Sequence, residues 1–219
     1  MIDFIQSETQ FFIFCLTTLF TLINPIGIAP LLLVMTERFS KQKKITIAWK
    51  GSFTAFFTLI LFSILGSFIF NVFSITIEAF QIMGGILFFR NGLRMLEAKV
   101  GRSRTTPAEQ VESQESDDIA ISPIGIPLIA GPGAITAAML LSSQTPQFYS
   151  YVTLGLSIFL VLFLVYLILR NGDILINILG TTGMRIIQRL MGLILLVIAV
   201  QFIINGTVSV IRPLISPSF

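Results

Sequence analysis

Six apolar stretches, at residues 11–35, 51–72, 79–96, 119–141, 151–169 and 186–211, alternate with polar segments along the chain. Each is long enough, as a helix, to cross a hydrocarbon core of ~30 Å. The pattern therefore predicts an all-α membrane protein of about six transmembrane helices, forming a single integral membrane domain over residues 1–219. The polar segment 97–118 separates three spans from three. An odd number of crossings turns the second group over, so residues 1–96 and 119–219 are expected as two inverted three-helix repeats. The segment between them runs from basic (Lys99, Arg102, Arg104) to acidic (Glu109, Glu112, Glu115, Asp117, Asp118) without an apolar period. Such a run reads as a solvated cytoplasmic linker, with a regulatory docking site as the alternative. Residues 173–180 are apolar but too short to span, and are expected to lie on the cytoplasmic membrane surface.

Inside the first and fourth stretches the apolar pattern is interrupted by one phrase in two copies. Asn24-Pro25-Ile26-Gly27-Ile28-Ala29-Pro30 is echoed, 98 positions on, by Ser122-Pro123-Ile124-Gly125-Ile126-Pro127. Proline removes a backbone donor and clashes with the preceding turn, so both copies predict broken first and fourth helices. The second copy continues into Gly131-Pro132-Gly133, where the chain can turn or re-enter. Freed backbone is tolerated in a bilayer only where it faces protein or water. A duplicated pair of interruptions is the sequence pointer to a transporter's central site. Half-helix N-termini would favour an anionic group, and opposing carbonyls an ammonium or cation, which together suit a small zwitterion. The candidate substrate-binding residues are Asn24, Pro25, Gly27, Pro30, Ser122, Pro123, Gly125, Pro127, Gly131, Pro132 and Gly133. The alternative reading is that the prolines only shape helices for packing.

Composition agrees with the membrane assignment, with 54% hydrophobic residues, 11% charged and a mean hydropathy of +0.91. Of the 14 lysines and arginines, only Arg212 falls outside the loops or span ends after the first, third and fifth spans. By the positive-inside rule both termini are expected on the periplasmic side of the inner membrane, with three cytoplasmic loops. The net charge of +3 follows from this topology and gives no support to nucleic-acid binding. Cys15 is the only cysteine and histidine is absent, which excludes intrachain disulfides and His-rich metal sites. No phosphate-binding glycine loop is present. No cofactor is expected, and no enzymatic activity: a His-assisted serine site, a metal site and an intramembrane aspartyl dyad all lack their residues.

Other polar positions have bland readings beside the functional ones. Gly51, Ser52, Ala55, Thr58, Ser63, Gly66 and Ser67 share one half of the second span, and Gly84-Gly85 lies in the third. Small faces of this kind favour close helix packing over substrate lining. Gln81, Gln188, Gln201 and Asn205 suit hydrogen bonds between helices. Arg90 lies near the middle of its apolar run, yet its stem can carry the charge to the cytoplasmic interface. No Asp or Glu lies well inside a span. The segment 81–87 can also be set against 188–194, which matches Gly85 to Gly192.

The two interrupted segments, with Arg189-Leu190-Met191-Gly192-Leu193 and the downstream Gln201-Phe202 and Asn205-Gly206, resemble the MarC family of bacterial inner-membrane proteins over nearly the whole chain. The resemblance implies an inverted-repeat fold akin to the LysE-type exporters. Members have historically been labelled multiple antibiotic resistance proteins, and an archaeal relative is described as a transporter of small neutral amino acids. Arg90-Asn91 departs from the family pattern, where apolar residues are usual. The function expected is secondary transport or export of a small neutral solute, with an amino acid as the leading class and the lipid bilayer as the surrounding partner. The alternative is a non-transporting membrane scaffold or a stress- or resistance-associated protein. Substrate, direction, coupling ion and oligomeric state are not legible in the residues.

Overall fold

The computed structural model describes residues 2–97, 120–143 and 148–215, and its regular structure is entirely helical. Eight helices follow in order among the described residues: α1 (Ile2–Ile23), α2 (Pro25–Met35), α3 (Lys41–Val72), α4 (Ile77–Leu96), α5 (Ala120–Ile129), α6 (Pro132–Ser143), α7 (Phe148–Arg170) and α8 (Gly172–Ile215). Four stretches are long and apolar enough to cross a membrane: Glu8–Met35, Lys41–Val72, Tyr149–Arg170 and Gly172–Arg212. The first runs through both α1 and α2. The third and fourth expected spans fall short of that standard for different reasons. Helix α4 carries Glu78, Arg90 and Arg94 within 20 residues, and the fourth stretch is split into pieces of 10 and 12 residues. The expected linker over 97–118 lies, beyond Glu97, outside the described residues.

Local chemistry sets several helix ends. Ser40 and Thr76 are N-caps whose hydroxyls accept the N–H of Lys43 at 3.3 Å and of Ala79 at 3.2 Å. Within α8, Gly180 takes φ 62°, ψ 177°, a conformation that L side chains rarely adopt. It divides residues 172–179 from the long remainder of the helix.

Helix α6 lies in the core. Gly133, Ala134 and every residue of 136–142 are buried, which a helix this rich in alanine permits from nearly all sides. Helices α1, α3, α4 and α7 pack on it. Helix α3 turns its small residues inward: Gly51, Ser52, Ala55, Thr58, Ser63 and Gly66 are buried, and Ser63 accepts a backbone hydrogen bond from the Ser142 hydroxyl. Trp49, Phe53, Phe57, Leu61 and Phe68 on α3 are exposed, as side chains facing lipid would be. Ser67, expected on the small face, is exposed instead.

The most extensive helix pair is α4 with α8. A β-carbon added at Gly85 would meet the Ala199 carbonyl at 2.8 Å, and one at Gly192 would meet the Gly92 carbonyl at 2.9 Å. Gly84 faces the other way, toward Thr136 and Leu140 of α6. The glycine doublet thus lets α4 approach two helices at once, the packing role expected for it. Phe202 ties this layer to α1, stacking on Phe14 at 6.0 Å and meeting Phe88 edge-on at 5.4 Å.

Candidate functional site

The first interruption is a single residue, Asn24. It takes the left-handed conformation (φ 53°, ψ 61°), and its Oδ1 accepts the Gly27 N–H at 3.2 Å. Asparagine tolerates this conformation better than most residues, and its amide caps the helix that restarts behind it. Pro25 occupies the first position of α2, where a missing N–H costs least. It offers no donor to the Thr21 carbonyl, and Pro30, inside α2, offers none to that of Ile26. Thr21 through Pro25 are all buried, so the interruption lies deep in the molecule. Gly27 leaves room for the cap: a β-carbon there would lie 2.3 Å from Asn24 Nδ2 and displace the capping side chain.

The second interruption falls at Ala130-Gly131. Before it, α5 winds as a π-helix with a cis Ile126–Pro127 bond, closing on Ala130 N–H to Gly125 O at 2.9 Å, five residues apart. π-Helical turns are rare and concentrate at functional sites. After it, α6 again opens on a proline, Pro132, and the Gly131 carbonyl accepts the first bond of the new helix from Ile135 at 3.0 Å. Gly131 has no side chain to cap the N–H groups of Gly133 and Ala134. Pro132 is exposed among largely buried neighbours.

The two interruptions are adjacent. A β-carbon at Gly133 would lie 3.3 Å from Leu22 Cδ2, two residues before Asn24, and 3.0 Å from Asn91 Nδ2 on α4. The contact thus sets Gly133, two residues past the second interruption, beside Leu22, two residues before the first. The backbone differs from the sequence expectation in extent. Residues 25–30 and 123–129 are helical rather than open: Pro25 starts α2, where no N–H is needed, and Pro30, Pro123 and Pro127 are carried inside helices. Pro30, Ser122, Pro123, Gly125 and Pro127 therefore lie within helices. Gly125 serves close packing of α5 on α3, since a β-carbon there would meet Thr54 Cβ at 2.9 Å.

Three polar side chains were missed in the sequence, of which Asn91 lies at the junction. Asn91 was passed over as half of the Arg90-Asn91 oddity. Helical phase held the signal, because Asn91 shares a face with Gly84 and Phe88, which are buried, whereas Arg90 is exposed. Thr18 is fully buried with its hydroxyl unpartnered among the described residues. Glu8 accepts hydrogen bonds from Ser150 and Thr153 at 2.8 Å each, pinning α1 to α7 near the start of the first span. No cluster of His, Cys, Asp or Glu among the described residues has the makings of a metal site. A separate apolar groove of about 460 Å³ runs between α1 and α8, beside the exposed Ile13 and Val197, and shares no lining residue with the junction.

Residues 9–211 match the profile described as MarC family integral membrane protein. The chain belongs to the MarC family. A UPF0056 membrane protein of Methanocaldococcus jannaschii is 36% identical over 91% of this chain and 87% of its own length. YvbG of Bacillus subtilis, also a UPF0056 membrane protein, is 36% identical over 90% of this chain and 94% of its own. One from Aquifex aeolicus is 31% identical over 97% and 99%. No solved structure matches. Membership makes this MarC family chain an integral membrane protein surrounded by lipid bilayer.

The role of Asn24 can be separated from its conformation. Asn24→Ala is expected to destabilise the protein by about 1–2 kcal/mol, through the lost cap and because alanine tolerates positive φ less well than asparagine. Asn24→Gly removes the same amide but relieves the strain, and should recover much of that loss. Melting temperatures of the two variants in detergent check the order.

Proposed function

We propose that the chain is a secondary transporter or exporter of a small neutral solute, with a small neutral amino acid as substrate, in the bacterial inner membrane. The observation that carries the reading is that two interrupted helices meet in the interior of a membrane protein, the end of α1 packing on the start of α6 and α2 on α5. Helix N-termini present N–H groups and a positive dipole end, which favours a carboxylate. Carbonyls deprived of donors by Pro25 and Pro30 suit an ammonium group. No acidic side chain is among the junction residues, so a net cation finds no counter-charge there. This reading assigns the protein no chemical catalysis.

The reading includes six membrane crossings arranged as two inverted three-helix repeats, residues 1–96 and 119–219, with 97–118 as a cytoplasmic linker and both termini periplasmic. Reciprocal packing supports it. The pair α1/α2 packs on α7 as α5/α6 packs on α3, and α4 packs on α6 as α8 packs on α2. An offset of 107 residues carries Gly85 onto Gly192 and Gly92 onto Ala199. The contact of Gly85 with Ala199 then becomes that of Gly192 with Gly92, as a two-fold axis requires.

Two experiments test these statements. Uptake of labelled glycine, alanine and serine by proteoliposomes under imposed Na⁺ or H⁺ gradients should show gradient-dependent accumulation, and none with any of the three would refute the substrate class. For topology, Glu112→Cys should resist an impermeant thiol reagent added to intact spheroplasts and react after lysis. The native Cys15 is buried and gives little background. Rapid labelling from outside would overturn the orientation.

A further inference from the structure

The apolar groove between α1 and α8 is walled by one face of each helix. Gln10, Ile13, Phe14 and Thr17 share a face of α1, and Ile194, Val197 and Ile198 share one of α8. Thr17 spends its hydroxyl on the Ile13 carbonyl at 2.7 Å, so the lining is almost wholly carbon. Helix α4 leaves this face of α8 open, because it packs on the opposite one, through Ala199, Ile203 and Gly206. The two walls run antiparallel: the start of α8 at Gly172 approaches Leu33, late in the first span, while Phe202 stacks on Phe14. Gln10, one turn before Phe14, therefore lies at the same end of the groove as Asn205, nearly one turn after Phe202. Gln201 and Asn205 continue the Ile194–Ile198 face at helical spacing, and Gln201 Nε2 donates to Asn205 Oδ1 at 2.7 Å. Two turns further on the same line comes Arg212, exposed and roughly 10 Å beyond Asn205.

Along this face the chain presents carbon, then carboxamides, then a guanidinium. A glycerophospholipid presents acyl chain, ester oxygens and phosphate in the same order. The bond between Gln201 and Asn205 uses one donor and one acceptor, which leaves N–H groups on both, and on Gln10, for oxygens that only accept. Helical side chains lean toward the N-terminus, which carries the Arg212 guanidinium back toward the amides. Nearby carboxylates are turned elsewhere: Glu8 accepts from Ser150 and Thr153 of α7, and Glu78 belongs to α4 on the far face of α8. A guanidinium without a carboxylate beside it suits a headgroup that has a phosphate and no ammonium. We propose that the α1/α8 groove binds one phospholipid of net negative charge, such as phosphatidylglycerol. Its acyl chain lies between the helices, its ester oxygens at Gln10, Gln201 and Asn205, and its phosphate at Arg212. In the orientation proposed above, this lipid belongs to the outer leaflet. The groove is separate from the junction, and its occupancy does not depend on what the chain transports.

Native mass spectrometry of delipidated protein, titrated in detergent with equimolar phosphatidylglycerol and phosphatidylethanolamine, tests the assignment. The wild type should retain a first phosphatidylglycerol with at least about a fivefold preference, the weight of one basic side chain at an anionic headgroup. Arg212→Gln should remove that preference. Arg189→Gln makes the same change of charge at an exposed position of α8 off the groove face, and should leave it intact. Val197→Trp, which fills the groove from a position 71% exposed, should lower retention of both lipids severalfold, whereas Leu61→Trp on the exposed side of α3 should not. If Val197→Trp fails to elute as a monodisperse species, the comparison of Arg212→Gln with Arg189→Gln decides alone. A wild type without preference, or equal losses in the two arginine variants, would overturn the proposal in favour of a general attraction of anionic lipid to basic residues. A wild-type dimer that Val197→Trp dissolves would also overturn it, by placing a second copy of the chain in the groove.

Discussion

Gly192→Leu is expected to abolish folding, seen as loss of the monodisperse species on size-exclusion chromatography in detergent. A β-carbon at this position would sit 2.9 Å from the Gly92 carbonyl and 3.0 Å from the Leu96 N–H nitrogen, both backbone atoms of α4. Side chains can turn aside from a new methyl group, but a helix backbone moves only as a whole. Gly192→Ala should therefore already destabilise by about 1–3 kcal/mol, the usual cost of overpacking. Leucine adds three more carbons along the most extensive helix pair of the fold. Lipid offers no compensation, since membrane helices associate through close packing rather than expulsion of water. Gly155 on α7 is the control: nothing lies within 4 Å of a β-carbon there, so Gly155→Ala should be neutral or slightly stabilising through helix propensity.

Gly133→Leu is expected to eliminate transport while leaving membrane insertion and folding largely intact. Its neighbours, Asn91 Nδ2 and Leu22 Cδ2, are side-chain ends that can shift, so the added bulk should fill the junction without breaking α6. Insertion depends on overall hydropathy, which leucine does not lower. Uptake at least about a hundredfold below wild type, with an unchanged elution profile, is the expected result, because ligand and side chain would compete for one space. Gly131→Leu is a poorer probe, since its β-carbon would press on the Pro127 carbonyl at 2.9 Å and disturb the interruption itself. Arg90→Leu serves as the control. Arg90 is exposed on α4, so transport of a neutral solute should survive its loss, and complete loss would redirect the search to anionic substrates.

Much of this architecture was legible because membrane helices announce themselves by length and hydropathy, and because proline and glycine act on backbone alone. Pro25 and Gly131-Pro132-Gly133 marked where helices stop without any knowledge of packing. The extent of the interruptions was not legible. Proline at the start of α2 costs little, and Pro30, Pro123 and Pro127 are carried inside helices, so the chain turns aside only at Asn24 and Ala130-Gly131. Nor did spacing reveal which polar residues would meet across helices. Asn91 lies 42 positions from Gly133 and Leu22 lies 111, and only packing brings them together there. The glycines of α4 and α8 were intermediate: their small size marked close approach, while the partner, Gly92 with Gly192, emerged from the three-dimensional structure.

The sharpest test of the junction as a solute site is cysteine accessibility at Gly133, with Cys15 replaced by alanine. A water-soluble methanethiosulfonate reagent should modify Gly133→Cys although the position is buried, and saturating serine should slow that modification severalfold. A thiol that never reacts, or one whose rate is indifferent to glycine, alanine and serine, would mean that the two interrupted helices meet in a dry packing contact with no site between them.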